Sequence, residues 1–343
     1  AEGAGFRSIR GATSARATAS LDLTHPTLVA RSLRPRVDRA LPYTYARTLR
    51  DTRLLVRERK DADKVVTRGT LPSQSGLAVV GSWKATDDRG QGLELAMTTD
   101  GRFVPSADLR PAEPSRFAGV ELDAETHTLP VAFVLARGAR SLTFDGETPR
   151  SGDTVDYHEA LPLTGEHRDG PEGGYWQLTD ERWLRASDIT VAAAPSEMPP
   201  AAKRGARWVD VSVGAGTLTM WEGERPVFVT LVSAAPGEGE DATKLGTFEL
   251  ESKAITGKQL DPTKLGRGVS LMDAPWVLGL SSGQAILGAF WHDAFGRSHG
   301  RGSIELSPRD AHRLWQWAGP ALPTGWHGVE DLPAGTLVVV VRS

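Results

Sequence analysis

Short apolar, β-like runs recur from Tyr43 onward. Leu54-Leu55-Val56, Leu77-Ala78-Val79-Val80 and Leu93-Glu94-Leu95-Ala96-Met97 are such runs, and Gly69, Gly76, Asp87-Asp88, Gly90 and Asp100-Gly101 punctuate them. That spacing predicts the strands of a small antiparallel barrel. Beyond position 207 apolar and polar positions alternate. Val209, Val211 and Val213 fall on one side of a strand, and Trp208, Asp210 and Ser212 on the other. Gly214-Ala215-Gly216 turns the chain, and Leu218, Met220, Val227, Val229 and Leu231 continue the pattern, which predicts a β-meander. Leu337 to Val341 is an apolar run that fits a buried closing strand. One segment has the helical period instead: Ala311, Leu314, Trp315 and Ala318 share a face. Ser307 is a suitable N-cap, Pro308 falls at the first helical position, and Asp310 can close a capping box.

The endings of two segments match. Arg102-Phe103-Val104 aligns with Arg182-Trp183-Leu184, and Ser106-Ala107-Asp108-Leu109 with Ala186-Ser187-Asp188-Ile189. This reads as an internal repeat, and each copy resembles the close of a bacterial SH3-like module. Tyr157, Tyr175, Trp176 and Trp183 read as packed aromatics of the second copy, with a peptide groove as the alternative. Ala194-Pro195-Ser196-Glu197-Met198-Pro199-Pro200 opens a Pro/Ala linker. The expected organisation is an arm over 1–42, a first module over 43–111, a connector and second module over 112–194, a linker over 195–206 and a C-terminal domain over 207–343. Arg31, Arg34, Arg36 and Arg39 in the arm read as a solvated strap, with contact to an anionic polymer as the alternative.

Composition removes several classes. The chain has 343 residues and a formal net charge of −3, so no global pull toward nucleic acid is expected. It contains no cysteine, which excludes disulfides, zinc–thiolate sites and thiol catalysis. No run of about 18 apolar residues occurs, so no membrane-spanning helix is expected. Arg7 and Arg10 stand at the start without an apolar core behind them, so the expectation is a mature form rather than a chain with its leader.

The densest chemistry lies between Ala285 and Trp317, which holds His292, Asp293, His299, Ser303 and Glu305. Two histidines seven apart with one carboxylate lack a defined ligand spacing, so no metal and no cofactor is expected. A serine hydroxyl is a weak nucleophile unless a base takes its proton. His292, His299 and Asp293 are the candidates for that base, and spacing places none of them against Ser303.

This stretch resembles the signature of the L,D-transpeptidases, the YkuD-like family that cross-links peptidoglycan through a cysteine thioester. Ser298-His299-Gly300 stands where the family writes the same three residues, and Ser307-Pro308-Arg309-Asp310 matches its helix start. Asp273-Ala274-Pro275-Trp276-Val277 and Ala242-Thr243-Lys244-Leu245-Gly246-Thr247-Phe248 resemble two further family motifs, in order. The resemblance covers about Trp208 to Val341. Ser303 takes the nucleophile's place, with Arg301-Gly302 inserted before it, and Leu287 takes the place of the general-base histidine. The resemblance implies a mainly β fold: two small SH3-like barrels, then a β-rich transpeptidase-like domain with one or two helices. It implies Trp291, Ser298, Gly300, Arg301 and Glu305 as substrate-side residues, with His299 shaping the site.

A thiol ionises near pH 8.5, and general-base help is worth roughly 100- to 10,000-fold. Ser303 and Leu287 forgo both. The expectation is therefore a degenerate relative in the periplasm or outside the cell, binding peptidoglycan stem peptides or a cell-wall protein. An active acyl transferase using Ser303 and a purely structural protein are the alternatives.

Overall fold

The computed structural model describes residues 7–8, 40–58, 64–87, 89–239, 242–257, 271–298, 302–323 and 325–343. The arm's Arg31, Arg34, Arg36 and Arg39 lie outside the described residues. Of the arm, β1 (Arg7–Ser8) and residues 40–42 are described.

A first sheet holds β2 (Thr44–Thr48), β3 (Thr52–Arg57), β4 (Val65–Leu71), β5 (Gly76–Thr86), β6 (Gly92–Thr98), β7 (Phe103–Pro105) and β8 (Leu109–Pro111). A strap carrying β9 (Val120–Glu121) follows. The second sheet holds β10 (Val131–Val134), β11 (Arg140–Asp145), β12 (Thr148–Thr154), β13 (Ala160–Arg168), β14 (Tyr175–Leu178), β15 (Trp183–Arg185) and β16 (Ile189–Ala192). The strand orders are β4-β3-β7-β6-β5-β2-β8 and β12-β11-β15-β14-β13-β10-β16, which are the same order. A 3₁₀ turn sits at Ser106–Asp108 in one and at Ala186–Asp188 in the other. The turn before it is pinned alike in both: Arg102 Nε donates to Asp100 at 2.8 Å and Arg182 Nε to Asp180 at 2.8 Å. The aligned residues thus make the same local structure twice.

A short helix (Pro200–Lys203) leads to the third sheet. This contains β17 (Arg207–Ser212), β18 (Thr217–Glu222), β19 (Arg225–Ser233), β20 (Gly246–Gly257), β21 (Ala274–Leu280), β22 (Ala285–Gly288), β23 (Ile304–Leu306), β24 (Gly328–Glu330) and β25 (Val338–Arg342). The path β20-β21-β22-β23-β19-β18-β17-β25 returns on itself, because β25 also pairs with β20. β17–β25 and β22–β23 are parallel, and the meander β17-β18-β19 is antiparallel as its pattern predicts. The fold class is mainly β, as expected, with this short helix and the long one at Pro308–Trp317 as the α-helices among the described residues.

Both faces of β17 are covered. Val209, Val211 and Val213 enter the main core with Leu218, Met220, Ile286, Ile304 and Leu306. Trp208 on the opposite face stacks on Trp221 at 5.1 Å, and Asp210 takes two bonds of 2.9 Å from Arg342. The long helix buries Ala311, Leu314, Trp315 and Ala318 in the same core. It lies close to the sheet: a Cβ on Gly288 would stand 3.2 Å from that of Ala311. Ser307 Oγ accepts from Asp310 N at 3.2 Å, as a cap should. The Asp310 carboxylate also reaches beyond the cap. It accepts from Gly119 N in the strap and from Thr230 Oγ1 at 2.6 Å.

Both small sheets dock on the third. The first presses Tyr45 and Ala78 onto Leu271 and Phe290. A Cβ on Gly76 would stand 2.7 Å from the Phe290 ring, so glycine permits this approach. Tyr45 Oη donates to Thr256 Oγ1 at 2.9 Å, and Thr99 Oγ1 to Asp273 at 2.6 Å. The second sheet and the strap contribute Val131, Phe133, Phe117 and Leu122 to a cluster with Val229, Leu231, Ala289 and Phe295.

Candidate functional site

β22 and β23 lie side by side in parallel, with Leu287 opposite Glu305. The loop between them starts at Ala289, and Phe290, Trp291, His292 and Asp293 follow at once. Ser303 ends this crossover immediately before β23. Residues two apart on an extended chain share a face, so Ser303 and Glu305 project together.

Ser303 Oγ donates to Glu305 Oε1 at 3.2 Å. The other oxygen, Oε2, lies 2.6 Å from His292 Nε2. Ala294 N donates to His292 Nδ1 at 3.1 Å. Since Nδ1 accepts, Nε2 is the nitrogen that carries the proton to Glu305. The order is hydroxyl, carboxylate, imidazole. In a nucleophilic triad the imidazole stands between the hydroxyl and the acid; here the acid stands between them.

The group is closed. Ser303 and Glu305 are each 4% exposed, and Leu287 is fully buried at 0%. Leucine at this place extends the core and supplies no proton acceptor. Asp293 is drawn away from Ser303 altogether. Ser115 Oγ donates to its Oδ1, Tyr157 Oη donates to its carbonyl at 3.3 Å, and Arg137 lies 3.9 Å from Oδ2. Trp291 offers its carbonyl to Arg47 of the first sheet, and its ring packs beside Phe290 at 5.2 Å between centroids. Ser298 is exposed. His299, Gly300 and Arg301 lie outside the described residues.

The structure therefore brings together Ser303, Glu305 and His292. It places Trp291 against the first sheet and Asp293 against the second. Glu305, expected on the substrate side, has its side chain in a network with Ser303 and His292. The signal available was the two-residue offset from Ser303. His292 is a candidate by residue type alone, and its place depends on the path of the loop.

Two other buried groups shape the surroundings. Burial pushes the Asp310 carboxyl up to about 6, against the pull of its bonds from Thr230 and Gly119. Burial likewise pushes Lys253 down to about 8. Its ammonium sits 4.1 Å over the Trp315 ring and donates to Pro320 O at 3.0 Å. His312 stacks on Trp276 at 4.2 Å, and His327 Nε2 lies 2.9 Å from the Thr256 carbonyl. Both are framework residues. No group of three or more metal-ligating side chains occurs among the described residues. No described helix is long and apolar enough to cross a membrane.

No family model and no curated protein matches this chain. Solved structures resemble it. An L,D-transpeptidase from Stackebrandtia nassauensis is 19% identical with a TM-score of 0.28, over 40% of this chain and 56% of that one. One from Xylanimonas cellulosilytica is 17% identical with a TM-score of 0.31, over 44% of this chain and 64% of that one. The chain thus spans less than two thirds of either. One from Mycobacterium smegmatis is 16% identical with a TM-score of 0.31, over 66% of this chain and 100% of that one. These are similarities to solved L,D-transpeptidases, at a level that assigns no residue and no chemistry.

Proposed function

We propose that this chain is a cell-wall protein on an L,D-transpeptidase-like scaffold, preceded by two SH3-like modules, with its former catalytic centre converted into a closed structural network. It acts in the periplasm or outside the cell and binds peptidoglycan stem peptides or a cell-wall partner without turning them over. One observation carries the reading. The hydroxyl at the nucleophile's position is buried and donates to Glu305, whose other oxygen is held by His292. Leu287 at the base position and the absence of any cysteine support it. So do the family-like motifs in their order along the C-terminal domain.

The test is intact-mass measurement after incubation with a stem tetrapeptide, beside calorimetric titration with muropeptides. The expected outcome is binding with no mass added to the protein. An acyl adduct on Ser303 would overturn the silent-site reading. No heat with any wall fragment would remove the ligand.

A second reading rests on one specific contact. Because Ser303 donates to Glu305, that carboxylate is placed to take the hydroxyl proton as Oγ bonds to a stem-peptide carbonyl carbon, and to return it to the amine released when that amide bond breaks. A Ser303 adduct that forms in the native protein and is lost in Glu305→Gln would establish it.

A further inference from the structure

His158 stands in a costly position. Its backbone is left-handed at φ 67°, which few non-glycine residues adopt. Its ring lies between Tyr157, 3.8 Å away, and Phe117, 4.7 Å away. The side chain is 6% exposed, and Nε2 is buried with no hydrogen-bond partner. Its other nitrogen, Nδ1, faces Asp293 Oδ1 at 4.0 Å. Strain and an unsatisfied buried nitrogen in one residue are features that collect at switches.

Among the described residues, Ser115, Arg137, Tyr157 and His158, from the second module or the strap before it, face Asp293. Arg137 is itself stacked on Tyr157 at 4.1 Å, and Arg297 in the same loop donates to Leu135 O. Asp293 is the neighbour of His292, which holds Glu305, which holds Ser303. We propose that the second module is an acid-released clamp: with His158 neutral it grips the Asp293 loop, and protonation of His158 loosens that grip and frees His292 from Glu305. The clamp operates whether or not Ser303 reacts.

The direction follows from the groups around the ring. A proton added to His158 would charge a ring that is 6% exposed and held between two aromatic rings, with Nε2 unpartnered. Burial therefore holds the imidazole below its ordinary value. The Asp293 carboxylate and the Phe295 carbonyl pull the other way, while the Arg137 and Arg297 guanidiniums add to the effect of burial. An undocked His158 takes up its proton near pH 6.5. The docked form resists, so docking weakens as pH falls below that point. Asp310, which titrates near 6 and binds the strap at Gly119, acts in the opposite sense, because the folded state there favours the protonated acid.

Hydrogen exchange of the full chain, normalised for intrinsic rates, tests the clamp at about pH 7.5 and about pH 5.5. Protection over 289–298 is expected to fall on acidification by up to about tenfold, the limit set by going one pH unit below the free histidine's value. Strands β17 and β18 should keep theirs. His158→Asn tolerates the left-handed backbone and does not titrate, so it should abolish the response. Asp293→Asn should lower protection over the loop at both pH values. Equal native protection at the two pH values, a response retained in His158→Asn, or unaltered protection in Asp293→Asn overturns the proposal. Should His158→Asn unfold, seen as lost protection in β17, the native and Asp293→Asn profiles decide.

Discussion

Glu305 accepts from two donors inside a closed part of the sheet. Removing such an acceptor costs about 1–3 kcal/mol for each buried donor left behind. Glu305→Leu is therefore expected to lower the urea midpoint without changing its slope, and a variant as stable as the native protein would show that the network contributes nothing. Lys253 is the reverse case, an ammonium with an aromatic face and one carbonyl about it. Its folded value is depressed to about 8 from 10.5, so between those limits the unfolded chain binds the extra proton. Stability should rise with pH through that window, by roughly 1–3 kcal/mol in all. Lys253→Met should remove the rise and raise the melting temperature near neutral pH, since an apolar side chain of similar length avoids burying the charge. Melting curves between about pH 7 and about pH 10.5 check both. Glu305 and Ser303 sharing a face was legible two residues apart on a strand. The isolation of Lys253 was not, because it depends on what the long helix and the segment after it bring over the sheet.

The long helix was legible from its cap and its period. Ser307 caps it and Ala311, Leu314, Trp315 and Ala318 are buried. Asp310 shows where local rules stop. Its position in the first turn suits a capping box, and a distant glycine amide and Thr230 also bind the carboxylate. The strap makes that possible by approaching closely. A Cβ on Gly119 would stand 2.3 Å from the Val229 carbonyl and 2.5 Å from Thr230 Cβ. Gly119→Ala should therefore displace the strap, destabilise the protein by about 1–3 kcal/mol and expose Phe117. A thermal melt indistinguishable from the native one would mean that the strap tolerates the methyl group. The repeated endings behave differently. Each encodes its own turn through an aspartate and an arginine two residues on, so local sequence was enough to build the same corner twice.

At the scale of the whole molecule, the two small sheets brace the crossover loop from either side. The first buries Phe290 beneath Gly76, and the second grips Asp293 and packs on Phe295. The clamp at His158 belongs to this scale, since no single element contains it. Sequence by itself determined the strands, the helix with its cap, the duplicated corner, and the absence of any cysteine. These follow from periods of two and 3.6 residues and from residue identity, which act over a few neighbours. Only the tertiary structure decided that Ser303 answers to Glu305 rather than to an imidazole, that Asp293 faces away, and that His158 sits buried and strained against it. Those relations join residues from 2 to more than 130 positions apart, and the packing of separate sheets sets them, not the pattern along any one strand.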